Sequence, residues 1–172
     1  IISWYFPNRT AWSTEPLRNY YTTKYEGAWD VLLKSVPLLP FLEDKTVEFV
    51  NAFCSSDLPD VVKESALFNL STLKTQTCFR LSDGNFFAWE GCNDKSGCCF
   101  GSCTHVWNYE NAIAFLYGDI AKNMRNTEFG LATDNTGLMT FRVSLPLENI
   151  MKFGKVAADG QMGCIIKMYR DW

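Results

Sequence analysis

Between residues 28 and 74 the apolar side chains recur at helical spacing in three successive stretches, with no strand pattern between them. This feature constrains the fold more than any other. Trp29, Leu32, Leu33 and Val36 share one face, which Pro37 and Pro40 interrupt. Val47, Val50 and Cys54 form a stripe on a second helix over about 41–54, with Phe49 and Phe53 beside it. A third helix starts at Ser56-Asp57-Leu58-Pro59-Asp60. There Asp57 can cap, Pro59 fits the first turn and Asp60 favours the positive end. It runs to about Lys74 through Val62, Ala66, Leu70 and Leu73. Consecutive helices without alternating strands argue against a doubly wound parallel sheet.

Elsewhere the pattern is mixed. Residues 1–6 read as a strand, followed by an irregular connection broken by Pro7 and Pro16. Residues 77–81 and 86–89 predict a hairpin around Ser82-Asp83-Gly84-Asn85. Residues 90–103 read as a Gly- and Cys-rich loop, and 108–125 as one long amphipathic helix with Ala112, Phe115, Leu116, Ile120 and Met124 inward. A strand over 138–145 and a last helix from Ala157 or Asp159, including Ile165, Ile166, Met168 and Tyr169, complete the chain. The expected fold is mainly α, with helices in antiparallel hairpins and small β-hairpins inserted between them.

Length and charge narrow the class. At 172 residues, 47% hydrophobic and 20% charged, the chain is long enough to bury a core without disulfides. A net charge of −3 argues against a general nucleic-acid binder. No run reaches the ~18 apolar residues of a membrane span; the nearest, 31–42, carries Lys34, Pro37 and Pro40. The chain starts at Ile1, shows no signal peptide and stops just after a helical pattern, so an excised piece of a longer protein is expected. Seven cysteines cannot all pair. Cys54, Cys78 and Cys164 lie in apolar surroundings and read as small buried residues. Of two glycosylation-type triplets, Asn8-Arg9-Thr10 and Asn69-Leu70-Ser71, the second falls in a helical pattern, where a glycan would clash with packing.

Chemistry concentrates in 86–110, which holds four Cys, the only His, two Trp and two Glu. Cys92, Cys98, Cys99, Cys103 and His105 are soft ligands, but neighbouring Cys98 and Cys99 diverge and the spacing suits a tetrahedron poorly, so no metal is expected. A Cys103 nucleophile with His105 as base lacks an evident third partner. Glu110 is the strongest candidate. If Asn108 caps the following helix, Glu110 lies in its first turn, between Trp107 and Tyr109. A carboxylate among aromatics suits sugar chemistry: rings stack on apolar sugar faces and the carboxylate can attack an anomeric carbon. The plainer alternative is an acidic residue that only favours the helix dipole. Partner carboxyls could be Glu90, Asp94, Asp119 or Asp159, although Asp119 lies too far along the same helix to touch Glu110. In 157–163 small residues surround Asp159 and Gln161, which could meet ligand hydroxyls. The plainer alternative is a helix cap with Gly160 and Gly163 for close packing.

Two strings resemble a known family. Gly-Ser-Cys-Thr-His-Val-Trp-Asn-Tyr-Glu (101–110), preceded by Trp-Glu-Gly-Cys (89–92), is similar to the nucleophile segment of the non-lysosomal glucosylceramidases, also called bile acid β-glucosidases. Residues 158–172, from Ala-Asp-Gly-Gln-Met-Gly to Arg-Asp-Trp, resemble a second signature of that family. Segments 57–64, 68–73 and 124–134 resemble it as well, so the likeness covers nearly the whole chain. One departure is Asn111, where relatives often have Gln.

The resemblance implies a partial (α/α)6 barrel, a six-hairpin toroid. Residues 1–26 would be the tail of an N-terminal β-sandwich domain and its connection, and 27–172 the first part of an incomplete catalytic domain. It implies a retaining β-glucosidase acting on glucosylceramide and related β-glucosides, with no cofactor and no metal. Glu110 matches the family's nucleophile, and the general acid/base Asp falls beyond Trp172, so the chain alone should be inactive. His105, Trp107, Asn108 and Asp159 are candidate substrate-binding residues. Peripheral association with the cytoplasmic face of endoplasmic reticulum or Golgi membranes is implied, and no nucleic acid. Two rival readings are a Cys-rich zinc-binding interaction module over 92–105 and a non-catalytic sugar-binding domain using Trp89, Trp107 and Asp159.

Overall fold

The computed structural model describes residues 1–12, 14–92, 99, 101–151 and 154–172. The expected helical run appears as α1 (Ala28–Ser35), a 3₁₀ turn at Val36–Leu38, α2 (Leu39–Cys54) and α3 (Asp60–Thr72). Pro37 and Pro40 do not end the run. Each sits in the first turn of the segment it begins, where its missing N–H would have had no helical partner. Asp57 is not the cap of α3: Pro59 occupies that position and no side chain bonds the first turn.

Among the described residues, six short strands form three two-stranded antiparallel sheets. β1 (Asn8–Thr10) pairs with β2 (Pro16–Arg18), β3 (Cys78–Arg80) with β4 (Phe86–Ala88), and β5 (Gly101–Cys103) with β6 (Arg142–Ser144). The sheets are stitched together. Ser82 N–H donates to Arg18 O at 2.9 Å, and Ala88 N–H donates to Ser102 Oγ at 2.9 Å. The main core lies on these strands and their connections: Ala11, Leu17, Phe79, Leu81, Phe87, Trp89, Ala132, Val143 and Leu145. Phe79 packs against Trp89 with ring centroids 4.5 Å apart, and the Arg9 guanidinium lies 4.3 Å from the Phe79 centroid.

This corrects the expected mainly-α partial (α/α)6 barrel with small inserted hairpins. No residue of α1, α2 or α3 is buried, and the largest buried cluster sits on antiparallel strands. The arrangement is α+β, helices together with small antiparallel sheets that carry the main core. The reason lies in partnership. The paired strands interlock large aromatics at short range, whereas no apolar side chain of the first three helices is fully covered.

Three local expectations also fail. Residues 1–6 are not a strand, and the first strand begins at Asn8, where Pro16–Arg18 lies alongside to complete the ladder. Residues 101–103 end the predicted loop as a strand. There Gly101, at φ +128°, lets β5 approach the Val143 carbonyl so closely that a Cβ would collide with it. The long helix over 108–125 does not form as one: a short α4 (Thr104–Trp107) precedes the stretch, 108–112 are not helical, and the rest divides into α5 (Ile113–Leu116) and α6 (Gly118–Asn126), followed by a π-helical turn at Thr127–Leu131. Tyr117, at φ −138° and ψ 62°, separates α5 from α6. Met124 is buried as expected, but Phe115 is 82% exposed. The last helix, α7 (Ala158–Asp171), starts where the sequence places it. No helix among the described residues is long and apolar enough to cross a membrane.

Candidate active site around Glu110

The turn after α4 carries Asn108, Tyr109 and Glu110, and it closes through Glu110 N–H donating to Trp107 O at 3.2 Å. Glu110 is buried, and its Oε1 accepts the Ile113 N–H at 2.6 Å. That donor is one of the unpaired amides at the start of α5. The carboxylate therefore bonds the first amide of α5 from three residues upstream, while Ala112 holds the cap position, and it does not lie within the first turn of a continuous helix. One oxygen is fixed by the backbone, which leaves Oε2 for other chemistry.

Asn108 does not cap the following helix. Its Nδ2 donates to Gly160 O at 2.8 Å, and its Oδ1 lies 3.6 Å from Cys164 Sγ, both on α7. The two helices meet there because Gly160 and Gly163 carry no Cβ. One at Gly160 would strike Thr104 Oγ1 and the His105 amide nitrogen, and one at Gly163 would strike the Asn108 side chain. The close-packing reading of 157–163 is thus correct. Trp107 stacks on Phe86 with centroids 6.2 Å apart, and among the described residues its Nε1 has no hydrogen-bond acceptor.

The remaining candidates are dispersed. Asp159 is exposed in the first turn of α7, adjacent to the Gly160 carbonyl that holds Asn108. His105 is exposed, with Nδ1 3.5 Å from Cys103 Sγ. Asp119 is exposed in the first turn of α6. Glu90 pairs with Arg142 at 2.8 Å. Burial opposes its charge, but hydrogen bonds from Cys99 and Cys103 and the Arg142 guanidinium hold its carboxyl below the usual range. Asp94 and Cys98 lie outside the described residues. No group of three His, Cys, Asp or Glu side chains among the described residues could hold a metal ion. Glu110 thus shares its turn with Trp107 and Asn108, while no described contact joins His105 to it.

Sequence reasoning missed a buried polar cluster beside this turn. Arg125 Nε lies 2.9 Å from Glu128 Oε2, and Arg125 Nη1 lies 3.5 Å from Asp171. Lys167, 4% exposed, donates from Nζ to Trp107 O at 3.4 Å. Burial raises the Glu128 carboxyl against the opposing pull of Arg125, and burial lowers the Lys167 ammonium. Burial, with Glu128 nearby, pushes the Cys164 thiol up to about 12, so it behaves as a packed thiol and not as a nucleophile. The missed signal was the spacing Gly160, Cys164, Lys167, Asp171, a stripe of small and polar residues along one helix face. Comparison with protein-family models, with curated proteins and with solved structures gives no match.

Proposed function

We propose that this chain carries the nucleophile of a retaining β-glucosidase that acts on glucosylceramide and related β-glucosides. One observation supports the reading above the others. The two strings that resemble the non-lysosomal glucosylceramidases, fifty residues apart in sequence, pack directly on each other through Asn108 and Gly160 and hold the turn that bears Glu110. In the proposed mechanism Ile113 N–H fixes Oε1, and Oε2 attacks the anomeric carbon. The bond to the aglycone oxygen breaks as a covalent glucosyl–enzyme forms, and the leaving oxygen takes a proton from an Asp outside these residues. Water then releases glucose and restores the carboxylate. Trp107 offers an indole N–H and a ring face beside the sugar. We also propose that the complete protein works as a peripheral enzyme on the cytoplasmic face of endoplasmic reticulum or Golgi membranes.

The test is Glu110→Gln in the complete enzyme. The exchange is nearly isosteric and leaves an oxygen to accept the Ile113 N–H. A carboxylate that only caps α5 is worth ~1 kcal/mol, about fivefold in an equilibrium. Loss of a covalent nucleophile costs several orders of magnitude in rate. The expected outcome is collapse of β-glucosidase activity at unchanged melting temperature, with a fluoroglucoside inactivator labelling Glu110 in the wild type and not in the variant. Activity above a few per cent of wild type, or a label on another residue, refutes the assignment.

A further inference from the structure

We infer that Lys167 is a positioning residue for Glu110, anchoring from α7 the turn that bears it. The inference rests on the reading of Glu110 as nucleophile. Gly160, Cys164 and Lys167 recur at spacings of four and three, so they share one face of α7. Along that face each touches the turn: Gly160 O takes the Asn108 amide at 2.8 Å, Cys164 Sγ lies 3.6 Å from Asn108 Oδ1, and Lys167 Nζ reaches Trp107 O at 3.4 Å. Trp107 O also accepts the Glu110 N–H at 3.2 Å, so the ammonium and the Glu110 backbone converge on one carbonyl.

A buried ammonium is costly unless it is paired. Three other ionisable groups face Lys167 from neighbouring elements: Arg125 of α6 opposes its charge, while Glu128 of the π-helical turn and Glu110 favour it. Cys164, on α7 itself, is the remaining titratable neighbour. Glu128 already has a cation, since Arg125 reaches its two oxygens at 2.9 and 3.1 Å. Asp171 likewise has Arg170 at 2.8 Å. The contact that holds the Lys167 ammonium on the turn is its hydrogen bond to Trp107 O.

The anchor has a catalytic consequence. The anchor keeps Oε2 aimed, and small displacements of a reacting group cost large factors in rate.

The experiment compares wild type, Lys167→Met and Lys167→Arg in the complete enzyme with an aryl β-glucoside. Met keeps the length of the side chain and removes the charge. For Lys167→Met, kcat should fall ~10–100-fold with KM within about twofold. Lys167→Arg, which keeps a donor for Trp107 O, should recover most of that loss. A purely structural lysine gives a different result: less soluble enzyme with unchanged kcat per folded molecule, and that overturns the inference. Should Lys167→Met not fold, Lys167→Arg decides, because a kcat that collapses despite the retained donor overturns it too. A wild-type enzyme that hydrolyses no β-glucoside overturns the glucosidase reading and the inference with it. A wild-type enzyme that does hydrolyse them, with kcat unchanged in Lys167→Met, overturns the inference alone.

Discussion

Helices α2 and α7 are of similar length, 16 and 14 residues, and treat their apolar side chains alike while differing in what they bury. On α2, Val47, Phe49 and Val50 are 50%, 43% and 41% exposed, and nothing on the helix is buried. On α7, Ile165, Ile166 and Tyr169 are still more exposed, yet Gly160, Cys164 and Lys167 are buried. Apolar residues at the right period are enough to make a helix, but they do not choose its partner. Close approach of another backbone makes that choice, and on α7 it is permitted by glycines against Thr104 and Asn108. The exposed face of α2 borders an apolar cavity of about 540 Å³, whose lining includes Phe49, Phe53, Val62 and Phe115. Contiguous apolar surface of this kind is uncommon on a solitary folded chain.

The contrast breaks most easily at its strongest point. Phe87, 1% exposed, lies in the strand-borne core against Phe79. In the 172-residue chain, Phe87→Ala should cost about 3–5 kcal/mol in urea denaturation, as cavity-forming core truncations do. A loss below ~1 kcal/mol would mean that the strands do not carry the core.

A smaller effect is expected at the α4–α7 contact. A methyl group at Gly160 meets Thr104 and the His105 amide nitrogen, and a backbone atom cannot swing aside. Overpacking costs ~1–3 kcal/mol, while Ala in place of Gly returns up to ~1 kcal/mol of helix propensity. Gly160→Ala should therefore lose about 1–2 kcal/mol in the same denaturation experiment. A stabilised variant would show that the two helices stand further apart than described.

Much of the fold was legible because local chemistry specifies it. The 78–88 hairpin follows from its aromatic strands around Asp83-Gly84, and the start of α7 from the small residues at 157–160. Gly160 and Gly163 were legible as packing glycines, one of two alternatives that segment offered, whereas the burial of Glu110 was not. What failed depends on contacts distant in sequence. The 108–125 pattern is helical by period. Its breaks arise because Asn108 is spent on α7 and Glu110 on the Ile113 amide, pairings that no periodicity encodes. The expected inward face holds at Ile120 and Met124 but fails at Phe115, which is exposed, while Ile113 is buried in Met124's cluster. Lys167 was missed because a lysine between apolar neighbours reads as solvated, whereas burial here is set by Trp107, Glu110 and Glu128 on other elements.

The smallest effect belongs to α2, and it is informative because it should be small. Val47 is half exposed, and Val and Ser differ little in helix propensity, so Val47→Ser reads burial and almost nothing else. If the α2 face meets water in the 172-residue chain, the variant should stay within about 0.5 kcal/mol of the parent. It should also lower any tendency to associate, since it removes a methyl-rich site from an apolar surface. A loss of ~1.5 kcal/mol or more requires that something covers Val47. Denaturation at two protein concentrations then separates the covers. A midpoint that rises with concentration means a second copy sits on the face. A concentration-independent midpoint means that α2 and α3 close on each other in solution, erasing the difference between α2 and α7.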